Sequence, residues 1–280
     1  MFRWYGLLGT FMIALGEVSL IFNLHIPIST FQLIWFGYIL LIDALVYKLR
    51  KHSLLHNDRL QFLFLMILSA GVWWIFELAN VYLGNWSYVF GGKTLNIFEP
   101  AAALRFTIAF STILPAFFET YELFKSLHLF SHTHLQKKHK ITKMFLFMMV
   151  GFGVFSLLAP IIMPDVFFPL IWFSFFFLLD PINYLHGVPS IIKHLEDKDM
   201  QTPVLLMLTT VTLGFLWEFW NYWSNLKWIY HVPRVGFLKV FEMPVLGYLG
   251  YLPFGLSLYS MYYFVYSLFK HKGHLLEHKF

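Results

Sequence analysis

Residues 60–84 read LQFLFLMILSAGVWWIFELANVYLG, with Glu77 as the one charged side chain. At about 1.5 Å per residue, a helix of this length crosses the ~30 Å hydrocarbon layer of a bilayer. In hydrocarbon every backbone polar group must be paired within the protein, so the run predicts a helix rather than a strand. Working outward, similar apolar runs fall at roughly 4–23, 29–48, 100–125, 142–162, 165–186, 202–224 and 243–268. The expected fold is therefore all-α, a polytopic helical membrane protein of about eight transmembrane helices. The 280 residues are 59% hydrophobic and 12% charged, against about 25% charged in soluble domains. No small-residue cleavage site follows the first run, so 4–23 is expected to be a span and not a signal peptide. Cysteine is absent, which excludes disulfides, thiolate metal sites and cysteine nucleophiles.

Charge sets the expected orientation. Lys48, Arg50, Lys51 and Arg59 follow the second run, Lys125, Lys137, Lys138, Lys140 and Lys143 the fourth, and Lys193 and Lys198 the sixth. Arg3 precedes the first run, and Lys270, Lys272 and Lys279 follow the last. The alternate connections hold only Lys93, Lys227, Arg234 and Lys239. The positive-inside rule then predicts an integral protein of the cell membrane with both termini cytoplasmic.

The chain also repeats itself. Leu33-Ile34-Trp35-Phe36, Leu41, Asp43 and Tyr47 recur at one constant offset as Leu170-Ile171-Trp172-Phe173, Leu178, Asp180 and Tyr184. Glu77-x-x-Asn80 followed by Trp86-x-Tyr88 recurs as Glu218-x-x-Asn221 followed by Trp228-x-Tyr230. Phe98-Glu99-Pro100 has its echo in Phe241-Glu242-Met243-Pro244, and Pro115 in Pro253. The expectation is two four-helix repeats, 1–133 and 134–280, forming one membrane domain. Four spans per repeat give both the same orientation, with a pseudo-two-fold axis along the membrane normal.

A charged residue at the bilayer centre costs about 2.5–3.5 kcal/mol on the insertion scale, so Glu77 and Glu218 are expected to face a protein interior. Asn80 and Asn221 share their helix faces at i+3. Glu99 and Glu242 stand where the next helices open, favoured by the helix dipole. These residues predict a site between the halves with Glu77, Glu218, Glu99 and Glu242 as candidate catalytic acids. Asn80, Asn221, Arg105, Trp73, Trp86, Trp217 and Trp228 are the candidate substrate-binding residues, with Trp220 close by. The aromatic connections 85–99 and 225–241 are expected to fold over the helix ends as a lid, although Trp-x-Tyr pairs also serve as interface anchors. Asp43, Asp180, Glu119 and Glu122 form a second acidic set near the basic ends, with Asp43 and Asp180 read as structural. Glu17 has no counterpart in the second half. His128, His132, His134 and His139 read as part of a solvated basic loop rather than a metal site. No phosphate loop, dinucleotide fingerprint or zinc motif occurs, which leaves the cofactor unknown, and nothing beyond the basic loops points to a nucleic-acid partner.

Asn80-x-x-x-Gly84-x-Trp86-x-Tyr88, followed by a loop and by Glu99 at a helix start, resembles the repeat of the small membrane-embedded carotenoid (lycopene) cyclase domains and of the related carotenoid hydratases. The second half departs from it, with Leu226-Lys227 before Trp228, and each helix opening carries a single Glu close to Pro. The resemblance implies a duplicated helical membrane enzyme, a lycopene-cyclase-like isomerase. A buried carboxylic acid would protonate a polyene double bond and aromatic faces would stabilise the carbocation. The expected partners are membrane lipids and an apolar small-molecule or lipid substrate. A proton- or cation-coupled membrane transporter is the alternative reading of the same carboxylates, and a scaffold without chemistry is the third.

Overall fold

A computed structural model describes residues 2–24, 29–137 and 140–269; Lys138, His139, Lys270, Lys272 and Lys279 lie outside them. The chain runs α1 (Trp4–Ile21), α2 (Thr30–Arg50), α3 (Leu54–Asn57), α4 (Arg59–Leu83), β1 (Trp86–Phe90), β2 (Lys93–Thr94), α5 (Pro100–Phe110) and α6 (Ile113–Ser126). It continues as α7 (Lys143–Ile162), α8 (Pro164–Phe167), α9 (Ile171–Leu185), α10 (Ile191–Glu196), α11 (Gln201–Trp223), β3 (Leu226–Tyr230), β4 (Lys239–Val240), β5 (Met243–Pro244) and α12 (Tyr251–Phe269). Among the described residues, seven helical segments are long and apolar enough to cross a membrane: α1, α2, α4, α5–α6, α7, α8–α9 and α11. The expected eighth span, 243–268, is only partly one helix. A 3₁₀ turn over Val245–Gly250 leads into α12, which mixes Tyr259, Tyr262, Tyr263 and Tyr266 with Ser257, Ser260 and Ser267. Those hydroxyls are buried inside the bundle and lower the segment's hydropathy.

Helix α6 lies near the centre and packs on α2, α4 and α11, while α12 packs on α9 and α11. The outer helices α1 and α7 lean on α2 and α9. They turn Leu7, Phe11, Phe147 and Ile162 outward, as helices bathed in lipid do. The fourth run breaks at Ser111-Thr112 because Pro115 has no N–H to continue the ladder. Ser69 of α4 bridges the break, donating to the Phe110 carbonyl at 2.5 Å and accepting from the Leu114 N–H at 2.9 Å.

Asp43 and Asp180 hold matching places. Asp43 accepts the Leu55 N–H at the start of α3 at 2.8 Å. Asp180 accepts the Ile191 and Ile192 N–H groups at the start of α10, both at 2.9 Å. Each carboxylate thereby ties a short amphipathic helix to the bundle and satisfies otherwise unpaired N-terminal donors.

The aromatic connections correct the purely helical expectation. β1 pairs antiparallel with β3, setting Trp86 opposite Tyr230, Ser87 opposite Ile229 and Tyr88 opposite Trp228. This register has the symmetry of a local two-fold axis at Ser87 and Ile229, which exchanges Trp86 with Trp228 and Tyr88 with Tyr230. Alternation puts Trp86, Tyr88, Trp228 and Tyr230 on one face of the ribbon. Its outer face carries Ser87, whose hydroxyl meets His231 Nε2 at 2.8 Å. β-branched and aromatic residues suit such a half-covered ribbon.

Candidate functional site: an aromatic cavity under a two-strand roof

A cavity of about 110 Å³ lies beneath the inner face of the ribbon. Its wall takes Trp73, Trp86 and Tyr88 from the first half and Trp172, Trp217, Trp228, Tyr230 and Tyr251 from the second. The lining is overwhelmingly apolar, with Ser29, Gln32, Arg105 and Thr112 as its polar members. The repeated Trp of α2 and α9 crosses between halves. Trp35 packs on Trp217 and Trp220, at 5.4 and 4.9 Å between ring centroids. Trp172 stacks on Phe76 and Trp86, at 5.4 and 6.2 Å.

Glu77 and Glu218 do not line this cavity; they sit directly behind its wall. Glu77, 2% exposed, accepts Trp73 Nε1–H at 2.9 Å, Trp86 Nε1–H at 3.1 Å and the Tyr88 hydroxyl at 2.5 Å. Glu218 accepts the hydroxyls of Tyr230 at 2.7 Å and Tyr251 at 3.0 Å, while Trp228 Nε1–H donates to the Tyr230 oxygen at 2.8 Å. Tyr251 lines the cavity and donates to Glu218, as Trp73 lines it and donates to Glu77. It fits because position 214 is glycine, where a Cβ would stand 2.4 Å from the Tyr251 ring. Burial first, and the neighbouring glutamate second, push the Tyr88 and Tyr230 phenols well above their ordinary range. Both hydroxyls therefore keep their protons and act as donors.

The asparagines hold backbone. Asn80 Nδ2 donates to the Trp86 carbonyl at 2.8 Å, and its Oδ1 accepts the Asn85 and Trp86 N–H groups at 2.9 and 3.2 Å. Asn221 makes the same clasp on Trp228, donating to its carbonyl and accepting its N–H, both at 2.9 Å. Asn80→Ala is expected to cost about 1–2 kcal/mol and to speed amide exchange across 85–90, because three strand bonds lose their partner. Asn80→Asp, which keeps the acceptor, is expected to lose less; equal exchange in both variants would show that the clasp does not hold the strand.

Other predicted residues fall elsewhere. Glu99 is exposed at the start of α5 and off the cavity. Glu242 precedes β5 and the 3₁₀ turn rather than opening a helix, and it pairs with Lys227 at 2.7 Å. Each loop has enough length to carry its carboxylate to water or to a lysine, which is cheaper than burying it. The expected four-acid site therefore reduces to two acids and their aromatic partners. Trp220 also leaves the cavity and donates to Glu17 at 2.6 Å, which gives the unmatched acid of α1 a partner in the second half. Tyr88, Tyr230, Tyr251 and Trp172 were missed as site residues; the Trp-x-Tyr spacing was the available signal for the first two. Among the described residues, no group of three His, Asp or Glu side chains is placed to hold a metal.

Comparisons with protein-family models, with curated proteins and with solved structures found no match to this chain.

Proposed function

We propose that this chain is an integral membrane enzyme that takes one end of an apolar, isoprenoid-type lipid into the aromatic cavity and isomerises it by proton transfer. The observation that carries this reading is that two buried glutamates each bind a tyrosine hydroxyl lining the same cavity. A proton held at Glu77 passes through the Tyr88 hydroxyl to an alkene carbon, and Glu218–Tyr230 is the matching pair on the other wall. The carbocation then gives up a neighbouring proton to the carboxylate left at Glu77 by the same path, so the acid is restored and the product is an isomer of the substrate. The surrounding indole and phenol faces suit a transient cation. A cavity of about 110 Å³ accepts the end of a long chain, and the remainder stays in lipid.

The finer topology belongs to the same proposal. α12 is the eighth span, and the two halves are parallel repeats about an axis through Ser87 and Ile229. The ribbon register, the two asparagine clasps and the two aspartate-tied short helices support this duplication. The basic connections support cytoplasmic termini in a cell membrane. Proton- or cation-coupled transport, the second reading, draws support from another cavity of about 170 Å³ near Arg50.

The test is saturable quenching of tryptophan fluorescence by a conjugated polyene added to purified protein, beside pigment analysis in a lycopene-producing host. Trp86→Ala combined with Trp228→Ala is expected to weaken binding by about tenfold, or ~1.4 kcal/mol. Tyr88→Phe combined with Tyr230→Phe is expected to keep binding and abolish turnover. Quenching that never saturates, or that the tryptophan variants leave intact, would remove the cavity as the lipid site. An unchanged lycopene peak removes cyclisation of that substrate.

A further inference from the structure

A second acidic centre lies by the basic connections and is separate from the aromatic cavity. Asp43 is fully buried and accepts the Tyr5 hydroxyl at 2.5 Å, the Ser53 hydroxyl at 2.9 Å and the Leu55 N–H at 2.8 Å. Glu119 of α6 is 1% exposed, and neither of its oxygens receives a hydrogen bond from any donor among the described residues. Ser53, which donates to Asp43, lines the same small cavity as Glu119, and this brings the two carboxyls to one place. Two ionised carboxylates in contact, out of water, repel strongly; one proton between them turns repulsion into a hydrogen bond. Asp43 already has three donors, and Glu119 has none among the described residues. The group without donors is the one that becomes a donor when protonated.

The second half shows what the aspartate needs by itself. Asp180 ties α10 with Ile191 and Ile192, and its remaining bond comes from the Ser260 hydroxyl at 3.0 Å. Among the described residues no second carboxyl bonds to it, so anchoring the short helix does not require one. Glu119 is an addition to that frame.

We infer that Asp43 and Glu119 form a proton-binding site in which Glu119 carries a proton and donates it to Asp43. The site exchanges with the basic end through the cavity of about 170 Å³, lined by Glu119, Glu122, Arg50 and His52. That space has room for several waters. Arg50 pairs with Glu122 and is 42% exposed, so its guanidinium stands between the cavity and the surface. Lys125 approaches Glu122 from the same helix at 3.8 Å. Tyr5 of α1 faces the pair from the far side of Asp43. α4 and α11 meet α6 through hydroxyls, Ser69 at its start and Thr202 at Tyr121. The ligand of this site is the proton itself. The centre is independent of the lipid reading, since neither carboxyl touches the aromatic cavity.

Infrared difference spectroscopy of the purified full-length protein tests it. The wild type is expected to show a protonated carboxylic C=O band that shifts in D₂O and is lost in Glu119→Gln. The amide of that variant donates to Asp43 in the proton's place, so the fold is kept. Should Glu119→Gln fail to fold, Glu119→Asp in protein carrying side-chain ¹³C-glutamate gives the same answer: one isotope-shifted acid band disappears and an unshifted one replaces it. A band set unchanged by Glu119→Gln, or an isotope-shifted set unchanged by Glu119→Asp, overturns the assignment.

Discussion

Glu77→Ala is expected to be among the most damaging single changes in this protein, lowering stability by about 4 kcal/mol. The carboxylate accepts from two indoles and one phenol, and all three donors sit at the wall of an apolar cavity. Each buried donor left without an acceptor costs about 1–3 kcal/mol, and such costs add incompletely. The corresponding fall in melting temperature is about 10 °C, at about 2–4 °C per kcal/mol for a chain of this size class. Tryptophan fluorescence during a thermal ramp in detergent reads it, with Trp73 and Trp86 among the ten reporters. Glu77→Gln is expected to fall between wild type and Glu77→Ala, since one carbonyl oxygen still accepts. Glu218→Ala is expected to cost less than Glu77→Ala. Glu218 serves two donors, and its second oxygen receives none among the described residues. A Glu77→Ala melt within about 1 °C of wild type would show that the glutamate does not organise the wall.

Gly255→Val is the second large effect, expected to cost about 3 kcal/mol. α12 crosses α11 at this glycine, and a Cβ there would meet the Leu206 carbonyl oxygen at 2.5 Å and Thr210 Oγ1 at 2.6 Å. Thr210 also donates to the Tyr251 carbonyl at 2.7 Å, so it cannot swing away freely. Small residues at helix crossings in membranes let backbones approach, and overfilling a tight contact typically costs about 1–3 kcal/mol or more. The damage reaches the site, because moving α12 pulls Tyr251 from Glu218. The informative control is Gly151→Val on α7, where nothing lies within 4 Å of an added Cβ and the melt is expected to stay near wild type. Equal losses for both variants would mean that the crossing is not close.

The apolar runs were legible because hydrocarbon forces each segment to pair its own backbone polar groups, so length and composition announce a helix. The Glu77 and Glu218 stripes were legible as buried for a related reason: a charge so deep in an apolar run must find partners inside. That Asp43 and Asp180 hold corresponding places was legible from the recurring Leu-Ile-Trp-Phe segment, and each ties a short helix. The 100–125 run hid its break, since Pro115 signals a kink but the bridging Ser69 comes from another helix. Glu99 and Glu242 misled because a motif near a helix start says nothing about how far its loop can carry a side chain toward water.

From the residues alone came the helical membrane character, the apolar segments and the two acidic, aromatic stripes, because these follow from local composition and from the cost of burying charge. The folded chain alone decided that the Trp-x-Tyr segments meet as paired strands, that their aromatic face roofs a cavity, and that the glutamates lie behind that wall. It likewise decided that Tyr251, admitted by Gly214, reaches Glu218, and that neither oxygen of Glu119 meets a donor among the described residues. Such outcomes depend on which surfaces touch, and contact between separate segments of the chain leaves no periodic trace in the order of the amino acids.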